Sequence, residues 1–168
     1  LFERVHPCLV KKNSYIANVS GVMNAVILHC EPVGESVLQG EGAGPGATSS
    51  ALMSDLLSIL RGNIKFPFGV SSKKRKPISS YNLNNYSNSL YLRFEVNDKP
   101  GVLSQITQSL AKRNISVERL IQIPDHKNKK ASIIIITHKT NESDANKCLK
   151  SFNVNRNILK APTRIRLF

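Results

Sequence analysis

Gly40-Glu41-Gly42-Ala43-Gly44-Pro45-Gly46 holds four of the chain's nine glycines within seven residues, and it is the stretch best suited to approaching a ligand. It runs directly into Ala47-Thr48-Ser49-Ser50, after which Leu52, Leu56 and Ile59 recur at helical spacing beside Met53, Leu57 and Leu60. Glycine lets the backbone come close to a bound group, and a helix start offers N–H groups to negative or electron-rich atoms. The same glycines also suit a tight loop that needs them only for its backbone angles. Other candidates are thinner. His6 and Cys8 lie close together but lack a second ligand pair, so no metal site is expected. His29 has no carboxylate or nucleophile near it in sequence and reads as a structural strand residue. Lys73-Lys74-Arg75-Lys76 could touch phosphates, although a solvated linker flank is the preferred reading.

The glycine stretch needs elements that present it. Arg4–Val10 is strand-like but interrupted by Pro7, which suggests an edge position or a bend. Asn24–Cys30 is apolar and β-branched enough for a buried strand, and Glu31-Pro32-Val33-Gly34 reads as a turn. Glu35–Gln39 then returns as the second arm of a hairpin and delivers the chain to the glycines. A helix is expected from Ala47 to Leu60, capped by Thr48 and closed at Arg61-Gly62, with Asp55 inside it.

After residue 65 the composition turns polar and proline-punctuated, from Phe66-Pro67-Phe68-Gly69 through the Asn/Ser-rich run to Asn88. From Ser89 the pattern is regular again. Leu90–Val96 alternates as a half-buried strand, and Asn97–Gly101 turns into a helix carrying Val102, Leu103, Ile106 and Leu110. Ile115–Ile123 is a second strand, Pro124–Asn128 a hairpin loop, and Lys130–Lys139, with four consecutive isoleucines, a central strand. Thr140 should cap a helix bearing Ala145, Cys148, Leu149 and Phe152, and residues 158–168 supply a last strand. The order is βαββαβ, an α+β arrangement with its helices on one face.

The whole-chain numbers narrow the function. With 24 Lys plus Arg against 11 Asp plus Glu, the net charge of +13 raises nucleic-acid binding. The basic residues are scattered and no aromatic platform interleaves with them, so a solvated basic surface is preferred and no nucleic-acid partner is expected. Three separated cysteines without a secretory leader point to a reducing, cytoplasmic setting, and no apolar run approaches a membrane span.

Two resemblances converge on these residues. Asn97-Asp98-Lys99-Pro100-Gly101-Val102-Leu103, between a strand and a helix, resembles the ACT domain, a small regulatory module that senses amino acids. Arg4-Val5-His6-Pro7, Gly21–Ala25 and Gly40–Gly44 with Thr48 and Asp55 together resemble homoserine dehydrogenase near the end of its catalytic domain, and Ile135–His138 and Thr163–Arg166 resemble the ACT-containing form. The fold class implied is α+β, a fragment of a mixed-sheet catalytic domain followed by a ferredoxin-like βαββαβ ACT domain. Residues 1–65 are expected to be the catalytic segment, 66–88 a linker and 89–168 the ACT domain.

The resemblance implies an NAD- or NADP-dependent oxidoreductase that reduces aspartate semialdehyde to homoserine, with feedback by an amino acid, threonine above all. The catalytic lysine and the substrate-binding acids would lie upstream of Leu1, in keeping with a chain that opens on Leu rather than Met, and no catalytic residue is assigned. Gly42, Ala43, Gly44 and Thr48 are the cofactor-binding candidates. Ala47 stands where the family usually has proline, and Glu41 would disfavour a phosphate beside it. The effector candidates are Asp98, Gly101, Val102, Ile121 and Gln122, at an interface between paired ACT domains of a homo-oligomer. An amino-acid sensor without enzymatic activity is the alternative.

Overall fold

The computed structural model describes residues 2–63 and 69–168. The Phe66-Pro67-Phe68 start of the expected linker therefore lies outside the described residues. The chain forms two compact units, Lys11–Ile78 on the one hand and Leu1–Val10 with Ser79–Phe168 on the other.

The first unit is built on a hairpin. Strands β2 (Met23–Cys30) and β3 (Gly34–Glu41) pair antiparallel along their whole length, from Met23 opposite Glu41 to Cys30 opposite Gly34. Helix α1 follows over Pro45–Leu60. It starts earlier than expected because Pro45, with a fixed φ and no N–H to leave unsatisfied, suits the first helical position. Gly44 is the residue at the cap, and Thr48 is not a cap: its N–H donates to the Gly44 carbonyl at 3.1 Å as the first helical bond.

Asn24–Cys30 is a strand as expected but not a buried one. Val26 is 54% and Leu28 43% exposed, and no residue of β2, β3 or α1 is buried. A two-stranded ribbon and one helix cannot enclose a core of their own.

The second unit encloses the core. Its elements are β1 (Cys8–Leu9), β4 (Ser87–Asn88), β5 (Leu90–Asn97), α2 (Val102–Ala111), β6 (Val117–Asp125), β7 (Lys130–Thr137), β8 (Thr140–Asn141), α3 (Glu142–Ser151) and β9 (Thr163–Leu167). The main sheet runs β1-β9-β5-β7-β6, with only β1 parallel to its neighbour. Without β1 this is the four-stranded sheet of a βαββαβ fold, and β7 lies inside it as the isoleucine run implies.

The period of two decides which side chains are interior. Leu90, Leu92, Phe94 and Val96 of β5 face Ala131, Ile133 and Ile135 of β7 in the core, and Val102, Ile106 and Leu110 of α2 with Ala145 and Cys148 of α3 close over them. Phe152, just past α3, meets the Phe94 ring edge-on at 5.0 Å between centroids. Tyr91, Ile134 and Ile136 stand on the opposite face.

Local chemistry corrects several boundaries. Pro124 and Asp125 belong to β6, opposite Ala131 and Lys130, so the hairpin loop is shorter than expected. Pro124 is tolerated because β6 is an edge strand. Ile115 precedes β6 and is buried. The cap of α3 is Asn141, whose Oδ1 accepts from the Ser143 N–H at 2.9 Å, while Thr140 is a buried member of β8. The last strand is confined to Thr163–Leu167, although Ile158 bridges Val96.

Candidate functional site

The turn between β5 and α2 borders a cleft of about 390 Å³. Gly101 has φ +88° and is the cap of α2, a left-handed geometry that glycine adopts without strain. The helix therefore starts without a capping side chain, and among the described residues the N–H groups of Leu103 and Ser104 have no backbone partner. Free first-turn donors and the helix dipole favour a carboxylate there.

The cleft also has an acidic mouth. Asp98 is fixed by its own N–H, which donates to the Lys129 carbonyl at 2.9 Å, and its Oδ1 accepts from Gln122 Nε2 at 3.3 Å. A carboxylate beside a carboxamide suits an ammonium or hydroxyl group. Helix-start donors for an anion and Asp98 for a cation together match a small zwitterion.

Four of the five effector candidates, Asp98, Gly101, Val102 and Gln122, line this cleft, and Ile121 does not. Successive strand residues face opposite sides, and with Gln122 opposite Ile133 on the cleft side, Ile121 is opposite Ile134 and 55% exposed on the other face. The β-bulge between Val117 and Arg119 shifts the register that a simple alternation assumes. Lys99 and Leu103 line the cleft as further members of the quoted turn motif, and Ile133 joins them with nothing in its isoleucine run to single it out.

The glycine loop leaves β3 at Glu41. The Gly42 N–H donates to the Val22 carbonyl at 2.8 Å, tying the loop back to the start of the hairpin. A Cβ on Gly42 would sit 1.7 Å from Asn24 Nδ2, so the close approach of that carboxamide requires glycine here unless Asn24 swings away. Asn24, Ala25, Leu38, Gly40 and Gly42 border an open depression of about 320 Å³. Of the cofactor candidates Gly42 lines it, while Ala43, Gly44 and Thr48 lie beyond it toward the helix start. There Gly46 and Ala47 have N–H groups without backbone partners among the described residues.

A charge cluster lies at the start of α3, where Arg4, Arg164 and Arg166 of two quoted motifs meet Glu142. Glu142 is 6% exposed, and its carboxylate accepts from Arg166 Nε at 3.2 Å and from Arg166 Nη2. Arg164 Nη1 is 3.4 Å and Arg4 Nη1 3.6 Å from the same carboxylate. Burial pushes the Glu142 carboxyl up, but the Arg166 hydrogen bond and the charges of Arg166, Arg164 and Arg4 outweigh this and hold it below its ordinary 4.5. Three guanidiniums on one buried carboxylate form a structural clamp.

The remaining groups offer little chemistry. Burial pushes the Cys148 thiol up to about 11, so it stays protonated and unreactive at neutral pH. His6 Nδ1 and Cys8 Sγ meet at 3.2 Å, yet no group of three or more His, Cys, Asp or Glu suited to a metal ion occurs among the described residues. Nor is any described helix long and apolar enough to cross a membrane.

Comparison with known proteins finds two family segments, the first of which runs across the boundary between the two compact units at Val10. Residues 2–57 match the family model of homoserine dehydrogenase and residues 90–154 that of the ACT domain. A homoserine dehydrogenase of Helicobacter pylori is 34% identical over 98% of this chain, and one of Neisseria gonorrhoeae is also 34% identical over 98%. The chain spans only 38% and 39% of those two proteins' lengths. The crystal structure of a homoserine dehydrogenase from Thiobacillus denitrificans superposes with a TM-score of 0.84 at 30% identity, over 98% of this chain and 38% of that one. The chain thus joins a homoserine dehydrogenase family segment to an ACT domain.

Proposed function

We propose that this chain is the regulatory and cofactor-flanking part of an NAD(P)-dependent homoserine dehydrogenase, which reduces aspartate semialdehyde to homoserine on the route to threonine and methionine, and that its ACT cleft binds threonine. The observation carrying this is the cleft at Gly101, where free helix-start N–H groups suit an α-carboxylate and Asp98 with Gln122 suits an α-ammonium or a side-chain hydroxyl. Residues 1–65 are the catalytic segment, 66–88 the linker and 89–168 the ACT domain. Gly42, Ala43, Gly44 and Thr48 flank the nicotinamide end of NADP or NAD through backbone groups, while the groups that move the hydride and proton lie in the rest of the enzyme. The chain alone supports no turnover.

Effector binding acts by favouring one arrangement of ACT domains over another, which biases the catalytic part. Pairing of two copies is supported by β6, a nine-residue edge strand with Leu120, Ile121 and Ile123 exposed and no charge between them. The setting is cytoplasmic. The alternative, an amino-acid sensor without dehydrogenase chemistry, draws on the same cleft and on the enclosure of the core within one unit. A dinucleotide-binding fingerprint in the reading frame upstream of Leu1 favours the enzyme, and its absence favours the sensor.

Calorimetric titration of the chain with threonine tests the effector site. Binding is expected in the unchanged chain, weakened at least about ten-fold in Asp98→Ala, since a charged hydrogen bond is worth roughly 1.5–3 kcal/mol. Equal affinity in the two proteins would remove Asp98 from the site.

A further inference from the structure

Residues 2–10 are held to the ACT-bearing unit by three contacts of different kinds. Phe2 stacks on Tyr86 with ring centroids 4.6 Å apart and meets Tyr81 edge-on at 6.2 Å. The Arg4 guanidinium lies 5.5 Å from the Phe2 centroid and 5.8 Å from that of Tyr86, with Nη1 in the Glu142 cluster. Cys8–Leu9 runs parallel to Arg166–Leu167, and the Phe168 N–H donates to the Leu9 carbonyl at 2.8 Å.

The grip is incomplete at its charged centre. Arg4 Nη1 is buried with no hydrogen-bond partner among the described residues. Glu142 already accepts two hydrogen bonds from Arg166, so docking Arg4 brings a third guanidinium to one carboxylate and leaves a buried donor unsatisfied. The strand part is two residues long, and none of residues 2–10 belongs to the buried core. Such a segment can leave while the sheet and both helices keep their packing.

We infer that residues 2–10 form a releasable strap on the ACT-bearing unit, docked through Phe2, Arg4 and Cys8–Leu9 or detached from it.

Nuclear magnetic resonance of the full chain separates a strap from an integral strand. The Phe168 amide reports docking, whereas the Leu167 amide, which donates to the Ser89 carbonyl at 3.0 Å, reports the sheet beneath it. In Phe2→Ala and Arg4→Ala the exchange rate of the Phe168 amide is expected to rise about ten-fold or more, with Leu167 and the β5 amides changing less than about two-fold. Order parameters of residues 2–10 should fall in the same variants from about 0.85 toward 0.6, with β5 unchanged. Unaltered exchange at Phe168, or a parallel rise at Leu167 and throughout β5, would overturn the proposal.

Discussion

Replacing Phe94 by alanine should lower the stability of the ACT-bearing unit by about 4 kcal/mol, the largest effect expected of any single core substitution here. Phe94 is fully buried at the middle of β5, and its ring meets Phe152 edge-on. Truncation removes that contact and opens a cavity that rigid neighbours on β7 and α2 cannot close. Since small domains are stable by roughly 5–15 kcal/mol, the loss is a large fraction of the total. For a unit of about 100 residues the expected fall in Tm is roughly 15–30 °C, read by thermal unfolding in circular dichroism. Leu56→Ala is the control. Leu56 is 51% exposed on α1 and touches no core, so its effect should stay within about 0.5 kcal/mol. Comparable effects from the two substitutions would mean that the core is not where the structure places it.

Glu142→Gln should cost about 3 kcal/mol at neutral pH, because it leaves Arg4, Arg164 and Arg166 facing one another without the carboxylate they share. The pH dependence has a definite sign. The folded carboxyl titrates below its ordinary value of 4.5, so its stabilisation is complete above that value and is lost as pH falls through the folded value. Denaturant melts of the two proteins should therefore differ by a constant amount from pH 7 down to about 4.5 and converge at lower pH. A gap that persists unchanged into strong acid would show that the carboxamide fails at this position for reasons of shape rather than charge.

Much of the ACT fold is legible in the sequence because its signals are local. Leu90–Val96 alternates cleanly, and every second residue is interior. Pro100-Gly101 marks a turn that only a left-handed residue completes, and the structure puts Gly101 there at φ +88°. The hairpin of β2 and β3 likewise follows from two apolar runs around a turn. The misplaced caps have a common cause: Thr48 and Thr140 are good capping residues, but Pro45 after Gly44 and Asn141 beside Thr140 compete better. Local propensity names the class of residue and not the winner.

What stays hidden is set by long-range register. Ile121 and Gln122 are adjacent and differ only in which face they take, and a bulge upstream decides that. The Glu142 clamp gathers residues from position 4, the start of α3 and the last strand, and an acid in a helical first turn ordinarily reads as solvent-facing. The exposure of Val26, Leu28 and the α1 leucines is also invisible to periodicity, which reports an apolar face and not what covers it.

Under the proposed function, the cleft at the β5–α2 turn binds an amino acid through the α2 start and Asp98. Its most direct test is to titrate the isotope-labelled chain with threonine and map the backbone amide shifts. The perturbed amides are expected to cluster at Asp98, Gly101–Ser104 and Gln122, with Ile121 weaker and the glycine loop unaffected. No shifts at saturating threonine, or shifts centred on residues 40–48 instead, would contradict it.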